Sequence, residues 1–234
     1  MSSGIPAIPA LNFGPTSEIS VEDAAARIVT AVKNDLAKRS GDCLPNRAIV
    51  LIDGISGSGK STFAGRLANA IPGAAIVGVD DISWWLHPVN WVAEMFAGVI
   101  NPWLAGQDID YRPPGWVAKN RPGSVIAKAD KRTNSEPSIL VIEGVGAARS
   151  ELAPYASFIV WVNTDPQFAE DRRIERDLAT GVNGSTREQV VEFEKDWMSN
   201  EVPLHLQEKP WERANLIVEG VTPPGEINLR AFWQ

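Results

Sequence analysis

A run of small residues closed by a lysine is the first stretch of this sequence whose spacing prescribes chemistry. Gly54-Ile55-Ser56-Gly57-Ser58-Gly59-Lys60-Ser61, followed by Thr62, fits the pattern G-x-x-x-x-G-K-[ST]. Small side chains let successive backbone N–H groups converge on phosphate oxygens, and a helix opening at the last residue adds its positive N-terminal end. The residues expected to hold a nucleotide are therefore Gly54, Ser56, Gly57, Ser58, Gly59, Lys60, Ser61 and Thr62. Lys60 would meet the β- and γ-phosphates of ATP, and the Ser61 hydroxyl would ligate Mg²⁺.

Three acidic or basic segments can complete such a site. Val77-Gly78-Val79-Asp80-Asp81 closes an apolar run with adjacent carboxylates, either of which can take a proton from an attacking hydroxyl or hold Mg²⁺. Ser138 to Glu143 is a second apolar run ending in an acid, expected beside the phosphate loop with Glu143 orienting a Mg²⁺-bound water. In Asp171-Arg172-Arg173-Ile174-Glu175-Arg176-Asp177, Arg173 and Arg176 stand three residues apart on one helical face. They are placed to neutralise a phosphate in transfer.

These residues need a frame. Ala48–Asp53, Ala75–Val79, Ser138–Glu143, Phe158–Val162 and Ala214–Val218 read as buried strands, with helices over Ser61–Ala70, Val89–Ile100, Pro166–Thr180 and Arg187–Asn200. A further helix is expected over Ser20–Arg39, capped by Ser20 and Asp23 and ended by Gly41 and Pro45. Strands alternating with helices predict an α/β fold, doubly wound around a mainly parallel sheet. Residues 1–17, rich in Ser, Gly and Pro, are expected as a flexible arm outside the core, residues 18–234 as one domain, and about 166–186 as a lid. Thr222 to Gly225 and Arg112 to Gly123 read as loops.

Composition narrows the partners. The 234 residues carry 22 Lys+Arg against 29 Asp+Glu, a formal net charge of -7 that argues against nucleic acid as a ligand. The single cysteine, Cys43, excludes an internal disulfide framework, and the absence of a long apolar run argues against a membrane, so a cytoplasmic protein is expected. A homo-oligomer is compatible with this composition. Nine tryptophans are many for this length. Trp84, Trp85, Trp91, Trp103 and Trp116, with Tyr111 and an anion contact from Arg112, can frame an acceptor pocket, to which Asp81 also belongs.

Taken together, Gly54 to Thr62, Val79-Asp80-Asp81, Ile142 to Val145, Asn163 to Pro166 with Arg172 to Asp177, and Arg213 to Val218 resemble the uridine kinase and phosphoribulokinase group of P-loop kinases. The resemblance implies Asp80 as the base toward the substrate hydroxyl, and a lid helix bringing Arg173 and Arg176 over ATP beside Lys60. It does not extend to the nucleoside pocket: Ile82-Ser83-Trp84-Trp85 stands where uridine kinases carry Phe-Tyr, Leu86 precedes His87-Pro88 in place of an Asp, and Val182 follows Gly181 in place of a basic residue. The function expected is ATP- and Mg²⁺-dependent transfer of the γ-phosphate to a hydroxyl of a small nucleoside-, sugar- or pantothenate-like metabolite. The alternative is a nucleotide-binding regulatory or interaction protein that keeps the fold without acceptor chemistry.

Overall fold

Buried on both faces, a parallel strand has no polar side to show, and β2 (Arg47–Gly54) is the clearest case. Its side chains alternate between two cores, Ile49 and Leu51 entering one while Ala48, Val50 and Ile52 enter the other. The computed structural model describes residues 8, 11–39, 46–129, 136–220 and 229–234. In chain order the elements around β2 are β1 (Ser17–Ile19) and α1 (Val21–Arg39) before it. After it come α2 (Lys60–Ala70), β3 (Ala75–Gly78), α3 (Val79–Ser83), α4 (Val92–Met95) and, past a π-helical turn at Phe96–Ile100, α5 (Asn101–Leu104). The chain continues through β4 (Ile109–Tyr111), α6 (Pro114–Ala118), β5 (Val125–Ala127), β6 (Ser138–Glu143), β7 (Phe158–Asn163), α7 (Pro166–Thr180), α8 (Arg187–Glu208), β8 (Leu216–Glu219) and β9 (Leu229–Trp233).

The main sheet runs β1-β9-β8-β7-β2-β6-β3. The five strands from β8 to β3 are parallel, β9 pairs antiparallel with β8, and β1 pairs antiparallel with β9. The doubly wound α/β architecture read from the sequence is the one observed. One face is covered by α1 and α2 through Ala24, Ile28, Val32, Phe63 and Leu67. The other face packs on Trp91, Met95, Val99, Trp103 and Val202. Ser20 caps α1 as expected, its Oγ accepting from the Asp23 amide at 3.0 Å and donating to the Asp23 carboxylate at 2.7 Å. The expected stop at Gly41 and Pro45, Cys43 and the loop at Thr222 to Gly225 lie outside the described residues.

Four expectations change. Of the arm expected over 1–17, residues 1–7, 9 and 10 are outside the described residues, but Ile8 is buried and Leu11 and Phe13 pack on the core. Ser17 already begins a strand paired with β9. The helix expected over Val89–Ile100 starts later, at Val92, and widens into a π-turn around Gly98, where the Tyr111 ring lies so close that a Cβ would stand 2.2 Å from it. The loop expected over Arg112 to Gly123 contains α6.

Helix α8 does not end at Asn200 but runs through Pro203 to Glu208. An interior proline forfeits one backbone hydrogen bond and costs ~3 kcal/mol. The buried Glu201, Val202, His205 and Glu208 around it supply the packing and side-chain bonds that offset the loss.

Candidate active site

Strand β2 sits at the point where the chain changes direction across the sheet, with β6 and then β3 on one side and β7 on the other. Ligands of open α/β sheets bind at such a reversal, beyond the carboxyl ends of the strands. There the structure holds a cavity of about 710 Å³ whose lining includes Lys60, Ser61, Glu143, Asp80, Trp84 and Trp85. Residues far apart in sequence meet because Gly54, Gly78 and Glu143 all end neighbouring parallel strands, with Ile52 and Gly78 both in register with Glu143.

The phosphate loop is shaped for an anion. It turns on a 3.0 Å bond from the Ser58 amide to the Ile55 carbonyl, with Gly57 at φ 80 and Gly59 at φ 96. Gly59 stands as N-cap of α2 with no side chain satisfying the first-turn amides, which leaves those donors for a ligand. Ser56, Gly57, Gly59, Lys60, Ser61 and Thr62 line the cavity, whereas Gly54 and the buried Ser58 support the loop from behind. Among the described residues, the hydrogen-bond partner of Lys60 Nζ is the Ile55 carbonyl, at 3.4 Å. Ser61 Oγ donates to Glu143 Oε2 at 3.1 Å. A hydroxyl and a carboxylate oxygen at one point are the hard donors Mg²⁺ takes, with phosphate and water oxygens completing its shell.

The two aspartates after β3 have separate tasks. Asp81 Oδ2 accepts from the Gly78 amide at 3.3 Å and so caps α3. Expected in the acceptor pocket, it is held away from it by this bond. Asp80 opens onto the cavity. Its pKa is raised by the desolvating cavity walls and by Asp81, against the pull of Lys60. Desolvation likewise raises Glu143, opposed by Lys60 and the Ser61 hydroxyl. Lys60 is thus the cation that both carboxylates share.

Helix α7 lies directly on the phosphate loop. A Cβ on Gly57 would come within 2.3 Å of the Ala169 carbonyl oxygen, so no other residue fits there. The two arginines expected as equals differ. Arg173 is buried, its Nε pairing with Glu194 Oε2 at 2.5 Å and its Nη1 donating to the Ser56 carbonyl at 2.6 Å. Expected as a phosphate contact, it is committed in this structure to bracing α7 on the loop. Arg176 is exposed in the cavity wall, with Nε 2.7 Å from Asp177 Oδ1. Arg173→Ala is therefore expected to leave Glu194 buried and unpaired, at a cost of ~3–5 kcal/mol visible in thermal melts. Arg176→Ala removes an exposed guanidinium from the buried Asp177, which keeps its bond from Asn183, so it should lower the melt less than Arg173→Ala and lower turnover more than ATP affinity.

A set of side chains on α8, unforeseen in the sequence, holds the loop from below. Glu201 Oε1 accepts from the Ser56 amide at 2.8 Å, while its Oε2 accepts from Ser56 Oγ and Trp197 Nε1, each at 2.6 Å. One turn on, buried His205 places Nε2 3.3 Å from Asp53 Oδ1, and Asp53 also accepts from the amides of Gly54, Gly146 and Ala148. The Ser56 amide, expected to face phosphate, is thus taken by a carboxylate. Glu194, Trp197, Glu201, His205 and Glu208 recur at helical spacing. That polar stripe was the available signal, hidden by ending the helix before Pro203.

Removing Glu201 strands buried donors, each costing ~1–3 kcal/mol when unmet. Glu201→Ala should lower Tm on the order of 6–12 °C for a loss of ~3 kcal/mol. Glu201→Gln, which keeps an oxygen for the Ser56 amide, should recover part of it in the same melt.

The expected acceptor pocket is only partly assembled. Trp84 and Trp85 line the cavity, but Trp91, Trp103 and Trp116 are core residues. Tyr111 is not in the cavity: its hydroxyl donates to Glu94 and its ring covers Gly98. Arg112 is turned away too, donating to the Arg121 carbonyl at 3.0 Å. Phe193 and Trp197 of α8, missed in the sequence, take part in the wall instead.

Comparison with solved structures agrees with this topology. The D-glycerate 3-kinase from Cryptococcus neoformans var. grubii superimposes with a TM-score of 0.52 at 13% identity, over 78% of this chain and 87% of that one. The fold is that of a P-loop kinase. A candidate fructose transport system kinase from Silicibacter sp. gives 0.49 at 17% identity, over 84% and 95% of the two chains. A candidate uridine kinase from Bacillus stearothermophilus gives 0.44 at 19% identity, over 83% and 98%. No protein-family model and no curated protein matches the sequence. Among the described residues, no helix of this P-loop kinase fold is long and apolar enough to cross a membrane.

Proposed function

We propose that the protein is an ATP- and Mg²⁺-dependent phosphotransferase of the uridine kinase and phosphoribulokinase type, moving the γ-phosphate to a hydroxyl of a small metabolite. The observation that carries this reading is the meeting of Lys60, the Ser61–Glu143 pair and Asp80 on one cavity beneath an arginine-bearing helix. A nucleotide-binding module without transfer chemistry needs no proton acceptor beyond the Ser61–Glu143 pair, whereas Asp80 supplies one.

Each residue has a task in that reaction. The amides of the phosphate loop other than those of Ser56 and Ser58, with those of the first turn of α2, hold the phosphates, and Lys60 neutralises charge on the transferring group. Ser61 and Glu143 would hold Mg²⁺, which when bound neutralises the phosphate oxygens. Asp80 takes the proton of the attacking hydroxyl. Arg176 supplies positive charge from the lid side, and Arg173, through Ser56 and Glu194, keeps that helix seated. The test is ADP release from Mg²⁺-ATP, measured with and without each of a panel of alcohols. ATP binding with no release that depends on an added alcohol would sink the reading.

A further inference from the structure

The acceptor half of the cavity is built from indole rings and carboxylates. Trp84 and Trp85 are 40% and 46% exposed, and Phe193, which lines the same cavity, is 39% exposed. Large apolar rings left open to solvent inside a concave site are binding surfaces more often than packing. The two indoles stand edge to face, 6.3 Å apart at 87°, forming a corner with two flat walls. Trp85 holds a left-handed backbone, φ 68, a conformation costly for a bulky side chain that persists only where its surroundings impose it. Helix α6 imposes it from outside: a Cβ on Gly115 would stand 2.5 Å from the Trp84 carbonyl oxygen, so the segment is pinned at that point.

Charge is divided between the halves. Among the described residues, the cations lining the cavity come from the phosphate loop and α7: Lys60, Arg172, Arg173 and Arg176. Arg172 Nη1 lies by Gly59, at the nucleotide end, and Arg173 is closed into its pair with Glu194. No lysine or arginine of the described residues lines it from the α3 side, where Asp80 and the indoles stand. The cations that act on Asp80 are Lys60 and Arg176, both placed where phosphate would pass. An acceptor bearing its own carboxylate or phosphate would meet Asp80 and Glu143 with no cation of its own to pair with.

Resting on the kinase reading above, we propose that the acceptor is an uncharged alcohol carrying a flat apolar face, an aromatic ring or the C–H face of a sugar ring, and that Trp84 and Trp85 are the residues that select it. The rings stack on or flank that face, and the hydroxyl to be phosphorylated points to Asp80.

The experiment is coupled ADP release by the full chain with Mg²⁺-ATP against two matched sets. One holds nucleosides, free sugars and aromatic alcohols, and the other sugar phosphates and hydroxy acids. The best neutral acceptor should exceed the best anionic one by about 100-fold in kcat/KM. Trp85→Gly, which relieves the backbone and deletes the wall, should raise acceptor KM about tenfold with Mg²⁺-ATP affinity unchanged by calorimetry, and Trp85→Phe should restore most of the loss. A best acceptor that is anionic, or Trp85 variants that weaken ATP instead of acceptor, would overturn this proposal and leave the kinase reading standing. Release with neither set overturns both.

Discussion

Lys60→Ala is expected to lower kcat/KM on the order of 10²–10³, the loss typical of a charged group aimed at the charge a transition state develops. The fold should survive, because Lys60 Nζ makes only a 3.4 Å contact to the Ile55 carbonyl and holds no element in place. A second readout follows from the same cation. Lys60 pulls down the pKa of both Asp80 and Glu143, against the desolvation that raises them. With the ammonium gone both carboxylates should titrate higher, so whatever turnover remains should lose its acid side at a higher pH than in the parent. Steady-state kinetics with Mg²⁺-ATP check the first effect, calorimetry the accompanying loss of ATP affinity, and a pH–rate profile the second effect. A variant that binds and turns over as the parent does would remove the phosphate-loop assignment.

The loop and its frame were legible because they depend on short-range spacing. The run from Gly54 to Thr62 carries its geometry in its residue types, and parallel strands buried on two sides must be written as unbroken apolar runs. Ser138–Glu143 matches its expected bounds for that reason. Strands of three residues such as β1, β4 and β5 have no period to read, and they exist only through partners far along the chain. The tryptophans show the same limit. Trp91 and Trp84 are equally apolar in sequence, yet one is fully buried and the other lines the cavity, a distinction made by the π-turn and α6, which the sequence pattern did not predict. Arg173 and Arg176 look alike until Glu194 arrives from α8 to bury one of them.

Asp80→Asn is expected to depress acceptor-dependent turnover by a factor on the order of 10² or more while leaving Mg²⁺-ATP affinity nearly unchanged, as for loss of a general base. The adjacent aspartate serves as the control. Asp81 is occupied in capping α3 through the Gly78 amide, so Asp81→Asn should cost a fraction of the ~0.5–2 kcal/mol of a lost cap and little turnover. The pH dependence fixes the sign. A base works only as its anion, and the cavity walls raise the Asp80 pKa above its ordinary value. Turnover of the parent should therefore fall as the pH drops through a value above the usual aspartate range. The amide has no proton to gain there, so the residual activity of Asp80→Asn should lose that dependence. Glu143 also titrates upward, but it bonds Ser61 at 3.1 Å and on the proposed reading would act on the nucleotide side, so protonating it should weaken metal-dependent ATP binding, not the acceptor step. Measuring kcat and KM for ATP separately across pH tells the two apart. If Asp80→Asn keeps the parent's kcat and its acid limb, the proton goes to Glu143 and the carboxylate facing the indoles serves binding alone.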